Sequence, residues 1–130
     1  MAYLGTIIEE SLSDKSVLAD MKITSTKVEP VTEEDKHQTP WIKQWTLHKV
    51  EISDEKAQAI AGKLSRLIDK EHAQAWYVDF KTDTEHYIIF LDKVFHITDR
   101  TDKAQYDEAI NYGIAFGIPR HQMDVPSWRK

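Results

Sequence analysis

The sequence predicts an α+β fold, in which a mainly antiparallel β-sheet carries one long amphipathic helix and a shorter C-terminal helix. Runs with a hydrophobic period near two, separated by polar turns, make up most of the chain. One stretch instead repeats its apolar residues at spacings of three and four, which is typical of a helix packed on one face. The length of 130 residues is close to the commonest domain size, so we expect a single domain over residues 1–130.

The first part of the chain is predicted to contain two strands and a short helical turn. Tyr3 to Ile8 forms the first strand, Ser13 to Asp20 the turn, and Lys22 to Glu29 a strand of alternating β-branched residues. The polar stretch from Pro30 to Pro40 predicts a surface connection, because each proline favours extended backbone in the residue before it.

The strand predicted from Trp41 to Ile52 is partly apolar on both faces. A sheet that carries one helical layer needs only one apolar face. Either the sheet is covered on both sides, or a bulge swaps the two faces midway. One face carries Trp41, Trp45 and Leu47, and the other carries Ile42, Thr46, His48, Val50 and Ile52.

A long helix is predicted from about Asp54 to Lys70. Ser53 is a favourable N-cap, and Asp54 and Glu55 place negative charge where the helix dipole favours it. Because the apolar residues share one stripe, we expect this helix to pack on the sheet. The stripe consists of Ala57, Ile60, Ala61, Leu64, Leu67 and Ile68.

Three short strands are predicted next, as an antiparallel meander: Trp76 to Lys81, His86 to Leu91 and Val94 to Thr98. If Asp92 and Lys93 form a two-residue turn, the second and third strands pair directly. The expected pairs are Phe90 with Phe95 and Ile88 with Ile97 on the core side, and Ile89 with His96 on the other side.

A final amphipathic helix is predicted from about Thr101 or Asp102 to Tyr112. Gly113 follows it at a position that suits a left-handed C′ residue. The residues expected to face inward are Ala104, Ala109 and Ile110.

The composition excludes several classes of protein. Without cysteine the chain has no disulfides, no thiolate nucleophile and no cysteine-ligated metal, and no two histidines have metal-ligand spacing, so no cofactor is indicated. A net charge of −5 with scattered basic residues disfavours duplex nucleic acid. The chain lacks a basic n-region and any apolar run near ~20 residues, so we expect a soluble cytoplasmic protein.

The histidines divide into two groups. Three of them, His37, His72 and His121, are expected in solvated loops or at helix ends. The other three lie on predicted strands, where a half-buried imidazole bonded to backbone or carboxylate is commoner than a catalytic base. They are His48, His86 and His96.

The most suggestive polar group lies on the strand from Trp76 to Lys81. Tyr77, Asp79 and Lys81 share one face of that strand, and His86 follows just across the predicted turn. A carboxylate, a cation and an imidazole brought together can bind an anion or move a proton. The same alternation is also what a strand with one solvated face produces, and we favour this second interpretation.

Several segments resemble a group of small uncharacterised prokaryotic proteins. The family has no assigned activity, so the resemblance implies a free-standing single-domain protein and supplies no catalytic residue. The matching segments cover most of the chain: Tyr3 to Leu12, Lys27 to Thr32, Thr39 to His48, Trp76 to Lys81, His86 to Phe90 and Tyr112 to Pro119.

Two functions remain open, and the sequence leaves undecided whether the protein is an enzyme. The first is an interaction module that forms a homodimer through an apolar sheet face, with Trp45 at the centre of the contact. The C-terminal segment from Ile114 to Trp128 is the competing cover for that face. The second is a small-molecule-binding protein or modest acid–base enzyme, whose pocket between sheet and helix would use some of Trp45, His48, Tyr77, Asp79 and His86.

Overall fold

The computed structural model describes residues 2–30, 44–70 and 76–118 and confirms the predicted α+β class. In the described ranges the two α-helices are α1 (Asp54–Leu67) and α2 (Lys103–Phe116), and 3₁₀ turns occupy Glu9–Ser11 and Lys15–Asp20. The strands are β1 (Ala2–Ile8), β2 (Lys22–Pro30), β3 (Gln44–Ser53), β4 (Val78–Lys81), β5 (His86–Phe90) and β6 (Lys93–Ile97).

These strands form one sheet in the order β2-β3-β1-β4-β5-β6, and each neighbouring pair is antiparallel. Side chains from the paired strands form continuous rows on each face. One row on what we call the first face runs Val50, Gly5, Phe80, Tyr87, His96. One row on the second face runs Glu51, Leu4, Lys81, His86, Ile97.

The first face of the sheet is covered by α1, as the apolar stripe predicts. Ser53 occupies the N-cap position, and Ala57, Ile60 and Leu64 are buried in the core cluster with side chains from β1, β3, β4 and β5. The Ser65 hydroxyl donates to the carbonyl of Phe90 at 2.7 Å. This bond ties α1 to the end of β5.

The second face is covered by α2, but only over β5 and β6. Ile88, Phe90 and Ile97 form a second core cluster there with Tyr106 and Ala109 from the helix. Farther along the same face, over β1 and β3, the side chains are exposed or partly exposed, with Leu4 at 57 %. The sheet is therefore covered on both sides at β5 and on the first face alone at β1 and β3.

Gly5 lies where the central strands approach each other most closely. A Cβ atom built on it would lie 2.5 Å from the carbonyl oxygen of Asp79 and 2.8 Å from the Cβ of Phe80. Neither of these atoms is at the end of a flexible side chain. A residue without a side chain is therefore required at this position of β1.

The β5–β6 hairpin differs from the prediction by a shift of two residues. Its turn consists of Leu91 and Asp92, so that Phe90 pairs with Lys93 and Ile88 with Phe95. Asp92 adopts a φ of 59°, a left-handed conformation that aspartate tolerates better than most residues. A shift of two preserves the faces, so the predicted core set of Phe90, Phe95, Ile88 and Ile97 does lie on one side.

The C-terminal helix also differs in detail. It continues through Gly113 to Phe116, and Gly117, with a φ of 120°, is its C-cap instead. Of the residues predicted to face inward, Ala109 is buried and Ile110 is partly buried, but Ala104 is exposed. The predicted inward set includes Ala104 and omits Tyr106, which lies two residues later and is fully buried.

Several predictions fall outside the described residues. They concern the connection after Pro30, the side chains of Trp41 and Ile42, and the loop histidines His37, His72 and His121. The C-terminal segment is described only as far as Ile118, which packs with Tyr106 in the second-face cluster.

Candidate functional site

The residues predicted to form one site lie on opposite faces of the sheet. Asp79, Lys81 and His86 share the second face, under or beside α2. His48 lies on the first face, since it pairs with Ile7. The structure therefore separates the predicted set into two polar clusters, each centred on one histidine.

The first cluster is a chain of three side chains centred on His86. Its Nε2 lies 2.8 Å from Oδ2 of Asp79, and its Nδ1 lies 2.9 Å from the hydroxyl of Tyr106. A carboxylate can only accept, so in the neutral imidazole Nε2 carries the proton and Nδ1 accepts the hydroxyl proton of Tyr106. We call this arrangement the Tyr106–His86–Asp79 chain.

Local structure explains why β4 and β5 bring Asp79 to His86. Lys81 and His86 are directly opposite in the β4–β5 ladder, which places Asp79 diagonally across from His86 on the same face. The tight connection between the strands is closed by the Thr82 N–H, which donates to the carbonyl of Glu85 at 2.9 Å. The Thr82 hydroxyl oxygen also accepts from the Glu85 N–H at 3.0 Å.

Tyr106 is the member of the chain that sequence reasoning missed. It comes from α2. The N-cap residue of this helix is Asp102, four positions before Tyr106, and its side chain accepts from the Ala104 N–H at 3.0 Å. The signal was present in the sequence, since Tyr106, Ala109 and Gly113 follow helical spacing, and all three are buried. A tyrosine in that stripe needs a hydrogen-bond partner when it is buried, and His86 provides it.

The burial of the Tyr106–His86–Asp79 chain decides what it can do. The side chain of His86 has no exposed area, whereas that of Asp79 is 33 % exposed. Tyr106 is also fully buried. Only the carboxylate end can meet a solute, and the phenol and the imidazole act between the sheet and α2.

The favoured interpretation of this strand, as a solvated face, holds only in part, because its polar side chains are partly exposed and alternate with buried ones. Asp79 is bonded to a buried imidazole, and Tyr77 and Lys81 are each only partly exposed. The ring of Tyr77 lies 6.0 Å from that of Phe90, at the border of the second-face cluster. At Asp79 the polar side chain has a structural role, because it satisfies a histidine inside the fold.

The second cluster is centred on His48 of β3. Its Nδ1 lies 2.9 Å from the hydroxyl of Thr26 on β2, and its Nε2 lies 3.1 Å from Oε1 of Glu9. The hydrogen bond from His48, together with the nearby Lys15, holds the pKa of the Glu9 carboxyl below its usual value despite partial burial. The side chain of His48 is 10 % exposed and that of Glu9 29 %.

A neighbouring carboxylate completes the end of β3. Both the N–H and the hydroxyl of Thr46 donate to the Glu10 carboxylate, at 2.7 and 2.8 Å. Thr46 lies beyond the last pair of the β1–β3 ladder, Ile8 with Leu47, so Glu10 takes the place of a strand partner. Glu9 and Glu10 thus anchor β3 to the end of β1.

The remaining predicted residues have structural surroundings. Trp45 is not an exposed aromatic, because it packs against the core cluster with its ring edge-on to Trp76, 6.5 Å between centroids. His96, expected to be half-buried, is exposed, bonded to Glu85 at 2.6 Å and stacked on Tyr87. Neither Trp45 nor His96 belongs to the cluster around His86 or to the cluster around His48.

The structure also has a cavity of about 250 Å³ away from these clusters. It lies between α1 and the 3₁₀ turn Lys15–Asp20. None of the predicted site residues lines it, that is, none of Trp45, His48, Tyr77, Asp79, Lys81 and His86. The lining consists of Ser16, Val17, Asp20, Lys63, Arg66 and Leu67.

Within residues 2–30, 44–70 and 76–118, no three His, Asp or Glu side chains converge in an arrangement that could hold a metal ion. In the same ranges, neither helix has the length and apolar character needed to cross a membrane. Comparisons of the chain with protein-family models, with curated proteins and with solved structures found no match.

Proposed function

We propose that this protein is an interaction module that associates with a second copy of itself through the edge strand β2. The observation that supports this most is the exposure of that strand. Of the residues from Lys22 to Pro30, all are exposed except Glu29, which is partly exposed. Among the strands of residues 2–30, 44–70 and 76–118, β2 is the outermost on its side, so the outward N–H and C=O groups of its backbone have no strand partner within these ranges.

The apolar side chains on β2 support the same proposal. Ile23 is 40 % exposed and Val28 is 52 % exposed, and both pair with first-face residues of β3. The opposite edge of the sheet is different. β6 has only five residues, and Val94, Phe95 and Ile97 in it are at least partly buried.

The association is tested by the mass of the unmodified chain and of two matched variants. We expect sedimentation velocity at micromolar concentrations to give a dimer for the unmodified chain. Val28→Lys should be a folded monomer, because it places a charge in the contact. Leu4→Lys makes the same change at an exposed apolar residue of the second face, and it should remain a dimer.

Two results would contradict the proposal. A monomer mass for the unmodified chain up to the highest soluble concentration would exclude self-association. Dissociation by Leu4→Lys, with Val28→Lys still dimeric, would move the contact from the β2 edge to the uncovered part of the second face.

The alternative, a small acid–base enzyme, has one observation in its favour. The Tyr106–His86–Asp79 chain links a buried hydroxyl to a partly exposed carboxylate through an imidazole. Against it stands the burial of His86 and Tyr106, neither of which offers a surface to a substrate. We therefore place this function second. That the protein is located in the cytoplasm stays a prediction from the sequence.

A further inference from the structure

We propose a specific geometry for this contact: two β2 strands pair antiparallel about a two-fold axis at Thr26, which joins the two sheets into one. This inference rests on the proposed self-association and names its partner surface. The occupant of the edge is a second copy of this chain. Three features of β2 lead to this register: a bulge, an apolar pair and a charge pair.

The bulge lies near the start of β2. In its pairing with β3, Ile23 is opposite Val50 and Ser25 is opposite Lys49, so that Thr24 is the additional residue. Because of this residue, Ile23 and Val28 both point to the first face although their numbers differ by five. Lys22, Lys27 and Glu29 point to the second face.

A two-fold axis at Thr26 makes these side chains complementary. Ile23 then lies opposite the partner's Val28, and both are exposed apolar residues on the first face. Lys22 lies opposite the partner's Glu29 on the second face, beside the ion pairs that they form within each chain, Lys22 with Glu51 at 3.8 Å and Glu29 with Lys27 at 2.8 Å. Each contact occurs twice, since the interface is isologous.

The bulge fits the same register. Thr24 and Ser25 together lie opposite the partner's Lys27, as they lie opposite Lys49 within the chain. Thr26 then lies opposite its own copy, with its hydroxyl already held by Nδ1 of His48 at 2.9 Å. In the joined sheet, the first-face side chains of one copy therefore lie on the same side as the first-face side chains of the other.

Other registers of this pairing are disfavoured by charge and by the pleat. A shift of one residue would bring first-face side chains of one copy to the second face of the other. The shift of two in one direction puts Lys22 opposite the partner's Lys27. In the other direction it puts Lys27 opposite its own copy, and like charges directly opposite are destabilising.

The absence of cysteine from the chain permits a clean test by disulfide formation. Directly opposed Cβ atoms in a ladder are ~4.5–5.5 Å apart, close to the separation that a disulfide requires. Thr26→Cys alone should form a covalent dimer under mild oxidation. Val28→Cys alone should not, because the two copies of that residue are about 13 Å apart along the strands.

A mixture sharpens the test of the register. Ile23→Cys and Val28→Cys should each remain monomeric on a non-reducing gel, but the two proteins mixed should cross-link to each other. Leu4→Cys, on the second face, is the matched control for random collisions and should give no covalent dimer.

A second mixture needs no covalent bond. Ile23→Glu and Val28→Lys should each be monomeric in sedimentation, because each places charges opposite apolar residues twice. Mixed, they should form a heterodimer, since Glu at position 23 then lies opposite the partner's Lys at position 28. The rescue depends on the register, whereas a loss of folding in either variant would not be rescued by mixing.

The outcomes separate this inference from the proposed function. A dimer mass without cross-linking at Thr26→Cys, and without rescue in the mixture, overturns the register and leaves self-association standing. A monomer mass for the unmodified chain overturns both. Cross-linking of Thr26→Cys and of the mixed pair, with Leu4→Cys unreacted, supports both.

Discussion

The two histidine clusters have the same chemistry but lie in different halves of the sheet. His48 and His86 each have a hydroxyl at Nδ1 and a carboxylate at Nε2. For His86 the hydroxyl comes from Tyr106 on α2, inside the covered half formed by β4, β5, β6 and that helix. For His48 it comes from Thr26 on β2, in the edge half formed by β2 and β3.

This difference shows that burial, and not the identity of the partners, decides how much the hydrogen bonds of each histidine contribute to stability. In the covered half, water cannot replace a lost partner, so each hydrogen bond of His86 is required for stability. In the edge half, Thr26 is exposed and water can replace it. The edge half therefore has exposed surface that a partner can contact, whereas the corresponding groups of the covered half are buried in the core.

The largest expected effect is a cavity in the covered half. Phe90→Ala should lower the free energy of unfolding by about 3–5 kcal/mol, since Phe90 is fully buried against Ile88, Ile97 and Tyr112. Val28→Ala in the edge half should change it by less than about 0.5 kcal/mol. Urea unfolding at a concentration where the chain is monomeric measures both. Equal midpoints would contradict the contrast between the halves.

The next effect compares the two hydroxyl partners. Tyr106→Phe leaves Nδ1 of the buried His86 without a donor and should cost about 1–3 kcal/mol of stability. Thr26→Val removes the equivalent hydroxyl from His48 at an exposed position and should cost less than about 0.5 kcal/mol. The comparison uses urea unfolding of the two variants in parallel, at a concentration where the chain is monomeric. A loss for Thr26→Val as large as for Tyr106→Phe would show that the edge half is closed to water.

A third prediction compares Gly5 in β1, the strand between the halves, with Gly62 in α1. Replacement by alanine should change the stability with opposite signs at the two positions. Gly5→Ala should destabilise by about 1–3 kcal/mol, because its Cβ would meet backbone of β4 and Phe80. Gly62→Ala, within α1, has nothing within 4 Å of the new atom. It should stabilise by about 0.5–1 kcal/mol, since alanine favours a helix interior. Thermal unfolding reports both signs, and a stable Gly5→Ala protein would argue against this close approach.

The smallest effect is a pH dependence in the edge half. The pKa of Glu9 is lowered in the folded state from an ordinary value of 4.5, chiefly by its hydrogen bond to His48. Its contribution to stability is therefore present above about pH 4.5 and is lost as the pH falls through the lowered pKa. Glu9→Gln should show a smaller loss over that range in acid unfolding curves. An unchanged acid limb would mean that the bond to His48 contributes nothing to the folded state.

Periodicity predicted the elements of this fold because each element is a local response to its own residues. The stripe of α1 and the alternation in β1 and β4 depend on which side chains avoid water, and that requires no knowledge of neighbours. The errors came at boundaries. The turn at Leu91 and Asp92 depends on which residue tolerates a left-handed conformation, and a helix can pass through Gly113 when a later glycine caps it.

The candidate site was only partly predictable, for a related reason. Asp79 and His86 could be brought together from sequence, because a short turn joins adjacent strands. Tyr106 could not, because its distance from His86 depends on which face α2 covers. The register of β1 between β3 and β4 likewise placed His48 with Glu9 and Thr26 on the opposite side.

The α+β class, the apolar stripe of α1 and the absence of cysteine chemistry follow from the order of the amino acids alone. The strand order, the part of the second face that α2 covers and the exposure of β2 are known only from the folded chain. These two groups of features differ in the range of the interactions that produce them. Hydrophobic period and turn chemistry act between residues near in sequence, whereas strand order and burial depend on contacts between residues far apart in the chain.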